Sequence, residues 1–273
     1  MNRLRRSVIA GSWYPGDPSI LQRDIAAYLS HIPDINIESD IMGFVAPHAG
    51  YIYSGQVAAH AFKAIQGRSY DTVILIGPSH RVAFSGVSIY SRGAYETPLG
   101  EIPVDEHFAQ ILIKGSKLIS DLPAAHAQEH SLEIQLPFLQ VVLGRFTLVP
   151  LVMGDQSAET CRELACLIHQ ASKDRNIIIV GSSDLSHFHD YTKAKELDGI
   201  ALGHIRNFDA QGLLDSLDQN KAEACGGGPI AVTMLTSKKK GARHSQVLSY
   251  ANSGDVTGDK RSVVGYASAV YYR

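Results

Sequence analysis

The chain has 273 residues, of which 45% are hydrophobic and 19% are charged, and its formal net charge is −2. A chain of this size and composition can bury a large core, which excludes intrinsic disorder. Its 25 basic residues are balanced by 27 acidic ones, so no positive field favours nucleic acid or an anionic membrane as a partner. No apolar run approaches the roughly 20 residues that cross a bilayer, and three cysteines without paired spacing fit a reducing compartment. We therefore predict a cytoplasmic protein.

Short β-branched runs alternate along the chain with amphipathic stretches of helical length, a pattern typical of α/β layers. We predict strands over residues 41–46, 72–76, 86–90, 146–152, 176–180, 246–251 and 263–271. We predict helices near residues 19–30, 56–65, 105–114, 132–143, 158–172, 192–208, 210–217 and 230–237. Several strands are continuously apolar, as strands covered on both faces tend to be. The pattern indicates a single α/β domain over residues 1–273, with a central mostly parallel or mixed sheet flanked by helices.

Three of the predicted strands end in polar segments of one style, at residues 46–51, 77–80 and 181–187. Ligands bind outside the carboxyl ends of strands in open α/β sheets, so these segments can converge. A single histidine in such a segment is more often structural than functional. However, Pro47 and Pro78 each fix the backbone just after a strand and supply the rigidity that a metal ligand needs. We predict His48 and His80 as ligands of one metal ion.

A third ligand is predicted at Cys225, in the glycine-rich segment that ends with Pro229. Glycines allow close backbone approach, and Pro229 can begin the following helix. A thiol near a helix N-terminus is expected to have a lowered pKa and to act as a metal ligand or nucleophile. The alternative is a buried, inert cysteine, which is how we interpret Cys161 and Cys166 inside the predicted helix 158–172. Two imidazoles and one thiolate suit iron, copper or zinc better than magnesium or calcium.

Asp184 and His187 stand three residues apart at the end of a predicted strand. We predict that His187 acts as a general acid or base beside the metal and that Asp184 orients it. Two alternatives stay open for this pair, additional metal ligands or a cap for the next helix.

The polar segment around Glu129, His130 and Glu133 lies where a helix is predicted to begin. In one interpretation Ser131 or His130 caps that helix and the leucines face the core. In the other, the polar side chains line the cleft or hydrogen-bond a ligating imidazole. The sequence favours neither.

Taken together, these motifs resemble the Memo family over nearly the whole chain. The matching segments are residues 5–15, 47–51, 77–80, 129–138, 182–187 and 225–229. Memo proteins are similar in fold to class III extradiol ring-cleaving dioxygenases, which hold non-haem Fe(II) with two histidines and a glutamate. By this resemblance His48 and His80 match the imidazole ligands, Cys225 stands where those enzymes place the carboxylate, and His187 matches their acid/base histidine. A thiolate is itself oxidisable, so the resemblance does not carry ring cleavage over.

These observations predict a mononuclear metalloprotein that binds iron, with copper or zinc as alternatives, and performs redox or dioxygen-dependent chemistry on a small substrate. A non-catalytic adaptor is the first rival, since vertebrate Memo proteins are described as adaptors for phosphorylated receptor peptides. Zinc-dependent hydrolysis is the second. Microbial members resemble component B of the AmmeMemoRadiSam system, so the resemblance also implies a radical-SAM protein and an AMMECR-type protein as partners.

Overall fold

The computed structural model describes residues 3–273. Its strands are β1 (Leu4–Arg5), β2 (Ile41–Ala46), β3 (Thr72–Pro78), β4 (Val87–Ile89), β5 (Ala94–Thr97), β6 (Gly100–Pro103), β7 (Ile119–Ser120), β8 (Thr147–Met153), β9 (Ile177–Ser182), β10 (His187–His189), β11 (His244–Asn252) and β12 (Val263–Tyr272). Its helices are α1 (Pro18–Ser30), α2 (Tyr51–Ile65), α3 (Glu106–Gly115), α4 (Pro123–Ala127), α5 (His130–Glu133), α6 (Leu136–Leu143), α7 (Ala158–Ala171), α8 (Tyr191–Arg206), α9 (Ala210–Asp218), α10 (Gly227–Lys239) and α11 (Ser253–Thr257).

Within residues 3–273, nine strands form a central sheet in the order β10-β12-β2-β9-β3-β8-β4-β7, and β11 pairs with β12. The middle strands β2, β9, β3 and β8 are parallel, whereas β12 is antiparallel to β2 and β4 is antiparallel to β8. Strands β1, β5 and β6 form a small separate sheet. The prediction of a single α/β domain with a mixed central sheet is confirmed.

Side chains that alternate along the middle strands fill two hydrophobic clusters, one on each face of the sheet. On β3, Val73 and Leu75 join the cluster that contains helices α1, α2 and α6, while Ile74 and Ile76 join the cluster that contains α3 and α7 to α10. Successive strand residues point to opposite faces, so a strand covered on both sides must be apolar at every position. This is why these strands were recognisable in the sequence.

The helix predicted over residues 132–143 is in fact two helices, α5 and α6. Pro137 lies in the first turn of α6, where its missing N–H costs nothing, whereas in the middle of one continuous helix it would remove a hydrogen bond and clash with the preceding turn. Helix α2 begins at Tyr51 and α10 at Gly227, earlier than predicted. Both differences bring a helix N-terminus close to a predicted metal ligand.

Several short elements were not predicted: β1, β5, β6, β7, β10, α4 and α11, none longer than five residues. Elements of this length show too little periodicity to be recognised. None of the helices within residues 3–273 combines the length and the apolar character needed to span a membrane.

Candidate metal centre

The predicted ligands meet at the carboxyl end of the sheet. His48 follows β2 by two residues and His80 follows β3 by two residues. Strand β9 lies between β2 and β3, and its end continues into Ser183 and Asp184. The strand order therefore brings together three segments that are far apart in the sequence, as expected for an α/β sheet.

The donor atoms of His48, His80 and Cys225 all lie within 4.8 Å of one another. The sulfur of Cys225 lies 3.1 Å from Nε2 of His48. Metal–nitrogen bonds of about 2.0 Å and metal–sulfur bonds of about 2.3 Å allow one ion to bind two donors at such a spacing. A second group, His80, Glu129 and His130, also lies within this limit, but its carboxylate is already occupied by hydrogen bonds from main-chain N–H groups and the His80 ring.

A hydrogen-bond chain fixes which nitrogen of His48 is free. The Ser182 hydroxyl donates to the Ser131 carbonyl at 2.6 Å and accepts from the Gln135 amide at 2.8 Å. Its contact with His48 Nδ1, at 3.1 Å, therefore has the imidazole as donor, because the only hydroxyl proton is already used. Nε2 of His48 then carries the lone pair that a metal requires.

His80 is held in the same tautomer by a carboxylate. Glu129 Oε1 accepts from His80 Nδ1 at 3.0 Å, and Oε2 accepts from the His80 main-chain N–H at 2.7 Å. Burial opposes the charge on Glu129, but the hydrogen bonds from His80 and Ser131 lower its pKa to about 2. A carboxylate that binds the far side of a ligating imidazole fixes its orientation and strengthens it as a donor.

The loop before α10 places Cys225 against the end of β9. The Gly226 N–H donates to the Ser183 hydroxyl at 2.9 Å, and a side chain at Gly226 would come within 2.4 Å of the Ser182 carbonyl. Glycine is thus required for this approach. Gln156 fixes the loop by donating to the Cys225 carbonyl and accepting from the Gly228 N–H.

The expectation that Cys225 has a lowered pKa is wrong for the metal-free site. Burial, and then the Asp184 carboxylate, raise the pKa of the thiol, because both disfavour a thiolate. Among the other cysteines, Cys161 is fully buried as predicted, whereas Cys166 is only half-buried.

Asp184 does not orient His187 in the way predicted. Its Oδ1 accepts from the His48 main-chain N–H at 2.7 Å, and burial raises its pKa to about 7. His187 Nδ1 instead lies 2.8 Å from the Leu185 carbonyl oxygen. Because a carbonyl oxygen only accepts, Nδ1 of His187 carries the proton and Nε2 carries the lone pair. The next residue, Phe188, has a left-handed backbone φ of 63°, and this conformation costs a non-glycine residue energy. Its side chain is 75% exposed.

His130 lies in the wall of the cleft. Its ring centroid is 4.4 Å from that of His80 and 4.5 Å from that of Trp13. Its Nδ1 is buried and has no hydrogen-bond partner within the described residues. The helix cap predicted at Ser131 or His130 is Glu129, which accepts from the Ser131 N–H. The functional interpretation is thus supported for Glu129 and His130.

Glu133, by contrast, does not line the cleft, so the cleft interpretation is wrong for this residue. Its fully buried carboxylate forms an ion pair with Arg5 and accepts from the hydroxyls of Ser7 and Tyr14 and from main-chain N–H groups of residues 8 and 9. A buried carboxylate needs such partners. Glu133 therefore anchors the N-terminal segment that carries Trp13.

Two of the candidate ligands, His48 and His80, line the floor of a cleft of about 560 Å³. The third, Cys225, contacts His48 Nε2 from outside this lining. Its polar lining is His48, His80, His130, Asp184 and His187, and its apolar wall is Trp13, Ile52, Tyr53, Phe188, Val264 and Tyr266. No Lys or Arg is among the described residues that line it. The rim is apolar and open, since Ile52 is 70% exposed. The cleft thus offers aromatic walls above a polar floor.

The donor set fits a transition metal. Two imidazoles, each hydrogen-bonded through Nδ1, and one thiol have donor atoms within 4.8 Å of one another. This combination suits iron, copper or zinc rather than magnesium or calcium. A bound cation would also reverse the unfavourable ionisation of Cys225, because a coordinating thiol loses its proton.

Sequence reasoning missed four residues that support the site: Trp13, Gln135, Gln156 and Ser182. None belongs to a residue type that is recognised as functional by itself. Ser182 was within a segment singled out for convergence, and its position two residues before Asp184 was the available signal.

Comparisons with known proteins agree with the architecture. A family model described as Memo-like protein matches residues 5–270. MEMO1 family proteins of Methanobrevibacter smithii, Methanosarcina mazei and Methanopyrus kandleri are 41%, 40% and 37% identical, each covering 98% of this chain and 98% or more of its own length. A crystal structure of an uncharacterized Escherichia coli K12 protein, JW3007, shares the fold with a TM-score of 0.52 at 12% identity, over 84% of this chain and 99% of that one. The chain belongs to the Memo family.

Proposed function

We propose that this Memo-family protein holds one iron ion with His48, His80 and Cys225 and uses it for redox or dioxygen-dependent chemistry on a small substrate. The observation that carries the proposal is the convergence of two imidazoles whose Nδ1 atoms are already hydrogen-bonded, so that both Nε2 atoms remain for a metal. Three protein donors also leave positions for substrate or dioxygen. Bound iron would supply the electron-transfer chemistry. Copper is the redox-active alternative, whereas zinc has no redox chemistry and fits only the hydrolytic alternative.

The protein's own residues would position the substrate and move its proton. His187 lines the cleft, and its Nδ1–H is bound to the Leu185 carbonyl. Its Nε2 is then the nitrogen that accepts a proton from a substrate hydroxyl, the role of a general base. Asp184 holds the main chain of His48 and so positions a ligand rather than the base.

The lining of the cleft supports an uncharged, flat substrate. Trp13, Tyr53, Phe188 and Tyr266 offer aromatic surface, and aromatic pairs favour stacked or edge-to-face contact with another ring. Phosphate recognition relies on Arg or Lys, and the described lining has neither. This weighs against an adaptor that reads phosphorylated peptides in the same cleft. The radical-SAM and AMMECR-type partners stay predictions.

The test is anaerobic reconstitution with Fe(II), followed by oxygen-uptake measurements with a panel of uncharged ring compounds. We expect substrate-dependent uptake in the wild type and a fall of roughly 10²–10⁴-fold in His187→Gln with iron content unchanged. The control is His169→Gln on α7, which lies outside the cleft lining and should behave as the wild type.

Three results would contradict the proposal. If the iron-loaded protein consumes no oxygen with any compound of the panel, the proposed dioxygen-dependent reaction is wrong. Tight zinc with hydrolysis that is indifferent to oxygen would favour the hydrolytic alternative. Metal-free native protein that recovers a stoichiometric partner would favour the adaptor.

A further inference from the structure

A second cavity, of about 400 Å³, lies at the opposite end of the sheet from the candidate metal centre. Its lining includes the residues at the starts of β2 and β9 and, beside β3, Ser69 and Tyr70. The cavity shares no lining residue with the metal cleft. Any ligand here would bind at the amino ends of strands whose carboxyl ends carry His48 and His80.

This second cavity concentrates positive charge in a chain whose net charge is −2. Four cationic side chains line it, Arg68, Arg175, Lys240 and Arg273, against one carboxylate, Asp40. A second carboxylate, Asp105, pairs with Arg175 from outside the lining. Two cationic side chains, Arg68 and Lys240, are therefore left without a carboxylate side chain as partner among the described residues. We call this feature the basic cavity.

Some cationic side chains of the basic cavity lack an ion-pair partner. Arg68 and Lys240 form no ion pair within residues 3–273; Arg68 donates to main-chain carbonyls, and Lys240 Nζ lies 3.3 Å from the Ser172 carbonyl and 3.4 Å from its hydroxyl. Arg175 Nη1 is buried without a hydrogen-bond partner in the described chain. The charges of Arg68 and Lys240 therefore lack a carboxylate partner among the described residues, and an anion in the cavity would supply the counter-charge.

Hydrogen bonds that involve the main chain link Arg175, Lys240 and Arg273 near Ser172. The Ser172 carbonyl accepts from both Lys240 Nζ and the Arg175 main-chain N–H. Arg273 Nη2 donates to the Lys240 carbonyl at 3.4 Å, and its Nη1 pairs with Asp40 at 2.9 Å. Burial and the Arg273 charge lower the pKa of Lys240, which is the direction expected when cations crowd without an anion between them.

We propose that the basic cavity binds a phosphoryl dianion, carried either by inorganic phosphate or by a small phosphate ester. Two negative charges match the excess of the lining, and phosphate oxygens are the acceptors that guanidinium and ammonium groups recognise best. The cavity volume of about 400 Å³ accommodates a phosphate group with a small organic remainder.

The test is calorimetric titration of inorganic phosphate at pH ~8, where phosphate is a dianion, with ionic strength held constant by chloride. We expect saturable binding in the wild type and at least a tenfold weaker Kd in Lys240→Gln and in Arg273→Gln. The matched control is Lys239→Gln, one residue earlier on α10, exposed and outside the cavity lining. It should keep the wild-type Kd within twofold. Both cavity variants keep the metal residues intact, so phosphate bound at the metal would not be lost in them.

The same titration with a nucleoside monophosphate and a sugar phosphate separates the two sources. Tighter binding of an ester supports a metabolite, and equal binding supports free phosphate. No saturable heat in the wild type, or the same Kd in Lys240→Gln as in Lys239→Gln, would overturn the proposal. Neither outcome would bear on the metal centre.

Discussion

Replacing Glu129 with Gln should weaken metal binding without unfolding the protein. The carboxylate accepts three N–H groups, from the His80 ring, the His80 main chain and the Ser131 main chain. A glutamine of the same shape keeps one oxygen but points an NH₂ at the donor that faced the other, and it removes the negative charge that strengthens His80 as a ligand. Loss of such a partner typically costs 10–100-fold in metal affinity, or about 1.4–2.7 kcal/mol.

The assay for Glu129→Gln is competition of the iron-loaded protein with a chelator of known affinity under anaerobic conditions. Thermal unfolding of the metal-free variant checks that the fold is intact. The control is Glu159→Gln on the exposed side of α7, which should leave the affinity unchanged. If Glu129→Gln binds iron within twofold of the wild type, His80 does not depend on this carboxylate and the reasoning is refuted.

Three further predictions concern stability. Arg5→Met leaves the Glu133 carboxylate buried without its ion-pair partner and should lower the free energy of unfolding by about 3–5 kcal/mol in urea titration; a loss no larger than that of exposed Arg6→Met would contradict it. His126 is buried, which lowers its pKa to about 3, so the unfolded state binds the extra proton below about pH 6.5. Stability should therefore fall by up to about 1.4 kcal/mol per pH unit from there toward pH 3, and the slope should shrink in His126→Gln; an unchanged slope would count against it. Phe188→Gly relieves a left-handed residue and should be about 1 kcal/mol more stable than Phe188→Ala; equal midpoints in thermal melts would exclude strain there.

The long strands were predictable because burial on both faces requires an unbroken run of apolar residues, which is visible within a short stretch of sequence. Strands β3 and β9 are buried on both faces and are apolar except at Thr72 and Ser182, at their ends, and the sequence displays these apolar runs directly. The break between α5 and α6 was also encoded, by Pro137, but the apolar periodicity continued across it and concealed it. Short elements such as β10 depend on tertiary pairing with β12, and a single sequence does not show that pairing.

His48 and His80 were predictable from residue type and from their places after strands, and Cys225 from its glycine-rich segment before a helix. Their supporting residues were not, because Ser182 and Gln135 act through a hydrogen-bond chain that exists only once β9 and α5 have packed together. The roles of Glu129 and Glu133 were indistinguishable in sequence for the same reason. One binds His80 and the other binds Arg5, a difference set by the position of the N-terminal segment.

The central claim is that Cys225 completes a mononuclear metal site with His48 and His80. Elemental analysis of anaerobically purified wild type, Cys225→Ser and the half-buried control Cys166→Ser tests it most directly. We expect about one iron per chain in the wild type and in Cys166→Ser, and a loss of most of that iron in Cys225→Ser. Equal metal content in all three proteins, or no metal in any of them, would contradict it.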